Sequence, residues 1–238
     1  IEALVADDAL FAGGWEGFKP LRVIRKEKES SNITSFYLAA ADSAVLPTFN
    51  AGQYITARMS TPDGQTTMRN YSLSDKSGQE HFRISVKREL APEATTPAGY
   101  VSNLLHDSVE VGDVIEVAPP CGEFYLVASE KQERPLVLMA AGVGITPIMS
   151  MLLTALDKTP QREIIFIHGS LNEQVQAFKK TVDKLAEEYP KLKVHYRYSD
   201  NAELGVTRAG NSSTGYVDPA FNDAIVPARD ADYYFCGP

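Results

Sequence analysis

The hydrophobic pattern changes period once, at Arg134-Pro135, and that change limits what the chain can fold into. Before it, from Phe18, short runs rich in β-branched and aromatic residues are separated by Pro, Gly, Asn and Asp, as in antiparallel strands. The runs predict strands over Leu21–Lys26, Ile33–Ala39, Gln53–Met59, Thr67–Leu73, His81–Lys87, Asp113–Val117 and Glu123–Val127, with one short helix over Ser102–His106. Strands at this spacing imply a barrel or sandwich, because closure removes exposed edges. After Arg134-Pro135 the period alternates. Leu136–Ala140, Glu163–His168, Leu192–Tyr198 and Asp232–Cys236 predict strands, Thr146–Leu156 a helix, and Glu173–Glu188 an amphipathic helix ended by Pro190. Apolar strands separated by helices imply a parallel sheet covered on both faces. The chain therefore reads as an all-β domain over residues 18–132 followed by an α/β domain over 133–238. Ile1–Ala12 predicts a short helix, Gly13-Gly14-Trp15-Glu16-Gly17 a linker, and Asn201–Gly215 a surface loop.

A length of 238 residues gives room for two such cores. The 23 basic and 31 acidic side chains leave a net charge of -8, which argues against a broad grip on a nucleic-acid backbone. A small phosphate ligand needs only local donors and stays open. Two cysteines, Cys121 and Cys236, cannot build a disulfide framework, a zinc ribbon or a four-thiolate iron–sulfur cluster, and they fit a reducing cytoplasm. Ile1–Ala9 has no basic segment of the kind that opens a secretory signal. His81, His106, His168 and His195 are scattered, so no metal site is expected and the four read as structural or exposed. Leu136–Leu156 carries no charge and has the length of a bilayer span, but Gly142, Gly144 and Pro147 divide it into a buried strand and a buried helix. No membrane span is expected.

The segment most able to carry chemistry is Ala141-Gly142-Val143-Gly144-Ile145-Thr146-Pro147, which follows the first α/β strand and opens the first α/β helix. Glycines let backbone approach a ligand, and the free N–H groups of a helix start favour an anion. Thr146 suits an N-cap and Pro147 the first turn. The third glycine of the dinucleotide fingerprint is absent, Pro147 standing in its place, so a nucleotide site and a plain tight turn both remain open. In the β half, Arg69 and Tyr71 of Arg69-Asn70-Tyr71-Ser72 should share one face of a strand, with Asn70 and Ser72 on the other. Arginine can hold a diphosphate, tyrosine can stack on a heterocycle and a hydroxyl can bond a ring nitrogen. A strand with an ordinary polar face fits the same tetrapeptide. Gly99-Tyr100-Val101-Ser102-Asn103 adds a second glycine-led helix start.

The order of these segments resembles the ferredoxin reductase-like flavoprotein reductases, and within them the C-terminal reductase region of flavohaemoglobins. The likeness rests on Gly13-Gly14-Trp15-Glu16-Gly17, Pro47–Tyr54, Arg69-Asn70-Tyr71-Ser72-Leu73, Ile84-Ser85-Val86-Lys87-Arg88-Glu89 and Gly99-Tyr100-Val101-Ser102-Asn103. It continues through Val111-Gly112-Asp113, Pro119-Pro120-Cys121-Gly122-Glu123-Phe124, Ala141–Pro147 and Cys236-Gly237-Pro238. It implies an antiparallel Greek-key β-barrel that binds FAD, then an α/β parallel-sheet domain that binds NADH or NADPH. Tyr54, Arg69, Asn70, Tyr71, Ser72, Lys87, Val101 and Ser102 would contact FAD, with Tyr71 against the isoalloxazine, Ser72 near its reactive nitrogen and Arg69 on the diphosphate. Gly142, Val143, Gly144, Ile145, Thr146 and Pro147 would hold the nicotinamide nucleotide's diphosphate, and Cys236, Gly237 and Pro238 would border the nicotinamide. Ser72 and Cys236 are the expected catalytic positions.

By the same resemblance, a hydride passes from nicotinamide to flavin, and electrons then reach haem b in a globin domain of the parent chain. There bound oxygen converts nitric oxide to nitrate. Ile1–Ala12 resembles the end of that globin, which marks the chain as a fragment of a nitric oxide dioxygenase. The family pattern continues past Pro238 with a helix and a strand, which puts the competence of this piece in question. Gly169-Ser170-Leu171-Asn172-Glu173 lacks an arginine for a 2′-phosphate, which favours NADH over NADPH. Two alternatives stand beside this reading: a flavin reductase donating to a separate ferredoxin or oxygenase, and a cofactor-free binding module of the same fold. The flavin's visible colour in purified protein separates the last from the others.

Overall fold

The computed structural model describes residues 14–61, 63–91, 93, 95–127, 134–200, 211–226 and 230–238. The helix expected over Ile1–Ala12 and most of the loop expected over Asn201–Gly215 lie outside them. The chain divides into two compact units. One spans residues up to Lys28 and Asn32–Tyr125, and the other Glu29–Ser31 and Leu126–Pro238.

The first unit is an antiparallel sheet of six strands: β1 (Lys19–Lys28), β2 (Ile33–Ala40), β3 (Tyr54–Ser60), β4 (Thr66–Ser72), β5 (Phe82–Lys87) and β6 (Val114–Val117). Their order is β4-β3-β6-β1-β2-β5. The two edge strands meet where Leu73 bridges Ile84 and the Ser74 N–H donates to the Arg83 carbonyl at 2.8 Å, so the sheet curls towards a barrel. Leu21, Phe36, Leu38, Ile55, Ile84, Ile115 and Val117 fill its interior. Trp15 packs against this core and donates its indole N–H to the Val117 carbonyl at 3.1 Å, which ties the expected linker to the unit. Helix α1 (Tyr100–Asp107) buries Val101 and Leu105.

The strand expected over Glu123–Val127 does not form. Pro119 and Pro120 bring no N–H to a ladder and Gly122 turns to φ +117. Pairing there reduces to one isolated bridge, in which Tyr54 and Cys121 exchange N–H to carbonyl bonds of 2.9 Å each.

The second unit is a parallel sheet of β7 (Leu136–Ala141), β8 (Ile164–Ser170), β9 (Leu192–Tyr198), β10 (Ser212–Thr214) and β11 (Asp232–Cys236), in the order β10-β9-β8-β7-β11. Helix α2 (Ile145–Lys158) packs against β7 and β11, and α3 (Lys179–Glu188) against β9. Val137, Ile165 and Ile167 point to the opposite face, where Phe221 and Ile225 of α4 (Pro219–Ile225) cover them. The charge-free Leu136–Leu156 stretch resolves into β7 and α2. Among the described residues no helix is long and apolar enough to cross a membrane.

Three local expectations need correction. Helix α2 begins at Ile145 with Gly144 as its N-cap, so Thr146 lies inside the first turn and its hydroxyl donates to the Val143 carbonyl at 3.1 Å. The helix expected over Glu173–Glu188 is broken. Asn172 caps a single 3₁₀ turn over Glu173–Val175, Gln176 is extended, and buried Phe178 takes a left-handed φ of 61° before α3 begins. β10 emerges from the expected surface loop by pairing with β9, and α4 was not foreseen. Its signal is Asp218-Pro219: the Asp218 carboxylate accepts the Phe221 N–H at 2.8 Å and Pro219 occupies the first turn.

At the amino ends of the parallel strands, the nearly buried Arg162 donates to the Arg134 carbonyl at 2.8 Å and to the Asp232 carboxylate, which Arg134 also reaches. Burial of Asp232 works to raise its pKa, but Arg134 and Arg162 outweigh it and hold the carboxyl below the usual carboxylate range. A lowered folded-state value stabilises the fold above the ordinary carboxylate pKa of about 4 and is lost as pH falls through the folded value. Asp232→Asn is therefore expected to cost about 2 kcal/mol at neutral pH. Thermal unfolding should show the gap from the parent narrowing below pH 4, and a gap that does not depend on pH would contradict the clamp.

Candidate functional site

In the first unit, β3 and β4 place Tyr54 opposite Ser72, Thr56 opposite Asn70, Ile55 opposite Tyr71 and Ala57 opposite Arg69. Because side chains alternate along a strand, Arg69 and Tyr71 share one face, and Asn70 and Ser72 the other, with Thr56 and Tyr54. The Thr56 hydroxyl donates to the Asn70 side-chain oxygen at 2.8 Å. Tyr71 is half-buried against the barrel core, and burial pushes its hydroxyl up to about 12 although Arg69 works in the other direction. Tyr71 is thus a neutral ring at any working pH, partly core and partly surface. Arg69 is exposed, and its guanidinium donates to the Met68 carbonyl at 2.7 Å and the Thr67 hydroxyl at 3.1 Å.

The turn that replaced the expected seventh strand supports Tyr54. A Cβ built on Gly122 would stand 2.9 Å from the Tyr54 ring, so the missing side chain lets that ring lie against backbone. The Gln53 amide donates to the Gly122 carbonyl at 3.2 Å. The Tyr54 hydroxyl is raised above its ordinary value, first by its hydrogen bond with the Cys121 thiol.

Lys87, Val101 and Ser102 gather where β5 ends and α1 starts. Lys87 pairs with Glu89 at 3.1 Å, and the Ser102 hydroxyl accepts the Glu89 N–H at 3.2 Å and donates to the Gly99 carbonyl at 3.0 Å. Val101 is buried beneath them. No side chain caps α1, which leaves the amide donors of its first turn without a capping partner, as an anion site would need. The Tyr100 hydroxyl donates to the Ser60 carbonyl at 3.1 Å, which brings this helix start to the β3–β4 hairpin that carries Arg69. A basic fork and a helix start near one hairpin, with a flat aromatic residue two positions from the arginine, suit a ligand with a diphosphate and a planar ring.

In the second unit the chain starts in β7, builds outward through β8, β9 and β10, then returns to β7's other side as β11. Ligands of open α/β sheets bind beyond the carboxyl ends of strands where the order reverses, here β7 and β11. Gly142–Gly144 and Cys236–Pro238 are the segments at those two ends. Gly142 adopts φ +53, and a Cβ built on it meets nothing within 4 Å, so the loop faces open space. No side chain caps α2. Gly144 differs, because it is buried and a Cβ there would stand 2.2 Å from the Cys236 carbonyl oxygen. Gly237, at φ +155, is as tight, with a Cβ 2.6 Å from that of Ala141. Gly144 therefore seats one segment on the other, while Gly142 is the glycine left free for a ligand. Ile145, Thr146 and Pro147 are buried, Val143 and Cys236 are half-buried, and burial raises the Cys236 thiol.

His168, read from sequence as merely structural or exposed, is 1% exposed and lies under this loop, its Nε2 3.2 Å from the Gly142 carbonyl oxygen. Burial lowers its pKa to about 4, so the ring is neutral. Its position near the end of an apolar strand beside the glycine loop was the available signal.

Residues 20–125 match the oxidoreductase FAD-binding domain and residues 138–238 the oxidoreductase NAD-binding domain. The flavohemoprotein of Oceanobacillus iheyensis is 42% identical over 95% of this chain and 54% of its own length. That of Rhodopirellula baltica is 41% identical over 99% of this chain and 58% of its own. The chain thus spans little more than half of the curated relatives it matches. Among solved structures, the flavohem-like FAD/NAD binding domain of nitric oxide dioxygenase from Vibrio cholerae matches with a TM-score of 0.80 and 31% identity, covering 92% of this chain and 87% of that one. Flavohemoglobin from Malassezia yamatoensis, with bound FAD and heme, shares the fold at a TM-score of 0.67 and 21% identity, covering 92% and 60%.

Proposed function

The chain belongs to the flavohemoprotein reductases, oxidoreductases with an FAD-binding and an NAD-binding domain, and from that premise we propose that it moves electrons from NADH through FAD to the haem b of a globin domain in a longer parent. In that parent the electrons support conversion of nitric oxide to nitrate. The observation that carries the reading is the pairing of the Arg69–Ser72 strand and the Gly142–Pro147 loop within matching FAD- and NAD-binding domains.

The FAD domain lies in the first unit, read from sequence as residues 18–132, and the nucleotide domain in the second, read as 133–238, although the units themselves divide between Tyr125 and Leu126. Arg69 and the uncapped start of α1, at Val101 and Ser102, hold the FAD diphosphate, and Lys87 adds positive charge beside them. Tyr71 offers a flat ring to the isoalloxazine, while Tyr54 lies on the other strand face with Asn70 and Ser72, which supply polar contacts. Ser72 is the hydroxyl offered to the ring's reactive nitrogen. Gly142, Val143, Gly144, Ile145, Thr146 and Pro147 form the backbone cradle for the nucleotide diphosphate, and Cys236, Gly237 and Pro238 border the nicotinamide. FAD, when bound, accepts two electrons as a hydride and releases them singly, so the protein's part is geometry and exclusion of water. The half-buried, neutral Tyr71 hydroxyl brings no competing charge to a flat ring stacked on it.

The absence of arginine from Gly169-Ser170-Leu171-Asn172-Glu173, and the acidic Glu173 within it, support NADH as the donor. On the intact parent, kcat/KM for NADH is expected to exceed that for NADPH by at least about tenfold, since a 2′-phosphate would meet like charge. Higher efficiency with NADPH would contradict this. The parent is also expected to consume nitric oxide and form nitrate only when NADH and oxygen are present. A parent that reduces added ferredoxin but leaves nitric oxide untouched would overturn the proposed acceptor. The net charge of -8 supports small-molecule ligands over nucleic acid, and the free thiols of Cys121 and Cys236 support a cytoplasmic home.

A further inference from the structure

We infer that His168 is a positioning residue for the diphosphate of the nicotinamide nucleotide, acting through the Gly142–Val143 peptide; this rests on the nucleotide reading above. Around His168, Gln176 and Tyr198 form a buried chain of side chains. The Tyr198 hydroxyl donates to the Gln176 amide oxygen. The amide nitrogen of Gln176 is therefore the end that faces His168 Nδ1, at 3.4 Å. An N–H aimed at Nδ1 requires that nitrogen to be unprotonated, so the neutral ring carries its proton on Nε2. Nε2 then donates to the Gly142 carbonyl at 3.2 Å, with the Ser170 hydroxyl 3.3 Å away as a second acceptor.

The Gly142 carbonyl also accepts the Ile145 N–H, so it is held from two sides. In a trans peptide the C=O and the following N–H point in opposite directions. A carbonyl turned in to His168 thus turns the Val143 N–H away from that ring, and the loop has open space beside it, since a Cβ built on Gly142 meets nothing within 4 Å. That N–H is a fixed donor for an anion at the start of α2. The break in the helix expected over Glu173–Glu188 serves the same end. Phe178, bulky and left-handed, is an unfavourable backbone state, and the extended Gln176 before it is what reaches His168.

The test compares ADP-ribose, which carries the diphosphate, with adenosine, which has none, by calorimetry on the FAD-loaded chain. His168→Phe is expected to weaken ADP-ribose about tenfold and adenosine less than about twofold, and His168→Gln, which restores an N–H donor, to recover most of the loss. Equal binding of ADP-ribose by His168→Phe and the parent, or equal loss of both ligands, overturns the inference. Failure of the parent itself to bind ADP-ribose overturns the nucleotide reading and the inference with it. If His168→Phe does not fold, nitrogen NMR of the parent imidazole decides: a proton on Nε2 with Nδ1 bare is expected, and a proton on Nδ1 overturns the inference.

Discussion

A Gly144→Val chain is expected to lose NADH-driven flavin reduction while keeping its FAD. Gly144 sits in ordinary αR backbone at φ -59°, so a left-handed conformation is not what demands glycine there. Space demands it. The Cβ of any other residue would stand 2.2 Å from the Cys236 carbonyl oxygen, 2.5 Å from its carbon and 2.8 Å from the Gly237 nitrogen. All three atoms are backbone of β11 and its exit, so no side chain can swing away. β11 is in turn fixed by its parallel pairing with β7 from Asp232 to Cys236. Either β11 shifts or α2 lifts, and both moves spoil the ends of the strands where the nucleotide is proposed to sit. Overpacking against backbone is expected to cost at least about 3 kcal/mol in the second unit. The first unit has its own core, so FAD content should survive. Flavin absorbance per protein and the rate of its bleaching by NADH check the two halves separately. Loss of both together would mean that the units do not hold their ligands independently.

Arg69→Ala is expected to weaken FAD about a hundredfold, the upper range for losing a charged hydrogen-bonding group. The guanidinium is exposed and donates to neutral oxygens of its own strand, so removing it should leave the barrel's stability nearly unchanged. The effect should fall on the diphosphate and not on the ring. Riboflavin, which lacks phosphate, should bind the variant and the parent with similar affinity, whereas FAD should discriminate between them. Equal FAD affinity measured by equilibrium dialysis would remove Arg69 from the site. A matching loss for riboflavin would move Arg69 from the diphosphate to the ring.

Much of the architecture was legible because burial writes its period into the chain. The barrel strands β1, β3 and β6 alternate between buried and more exposed positions, β7 and β8 of the parallel sheet are buried almost throughout, and the switch at Arg134-Pro135 separates the two groups. The errors fall where a long-range contact decides. Glu123–Val127 has the apolar content of a strand, but Pro119 and Pro120 and the approach of Gly122 to the Tyr54 ring turn it into an irregular segment. Glu173–Glu188 has helical spacing throughout, yet it breaks at Gln176, which is drawn in towards His168 and Tyr198. β10 is only three residues long, and its strand character comes from β9, so no local pattern announces it.

The candidate site divides in the same way. The residue types of Arg69-Asn70-Tyr71-Ser72 and the glycines of Gly142–Pro147 are visible in one dimension, as is the alternation that puts Arg69 and Tyr71 on one face. What is not visible is which glycine serves which purpose. Gly142 is open, whereas Gly144 is filled by Cys236 backbone more than 90 positions along the chain. In the sequence His168 reads as one more structural or exposed histidine, because nothing local marks it out at the end of an apolar strand. Only the fold shows that its ring reaches the Gly142 carbonyl.

The proposed electron path begins with one unit holding FAD, the other holding NADH, and a hydride moving from the second ligand to the first. Anaerobic titration of the FAD-loaded chain with NADH, followed by the yellow flavin absorbance, reads that transfer. Bleaching that ends at one NADH per flavin is expected. Flavin that stays oxidised in excess NADH, although both ligands are bound, would contradict it.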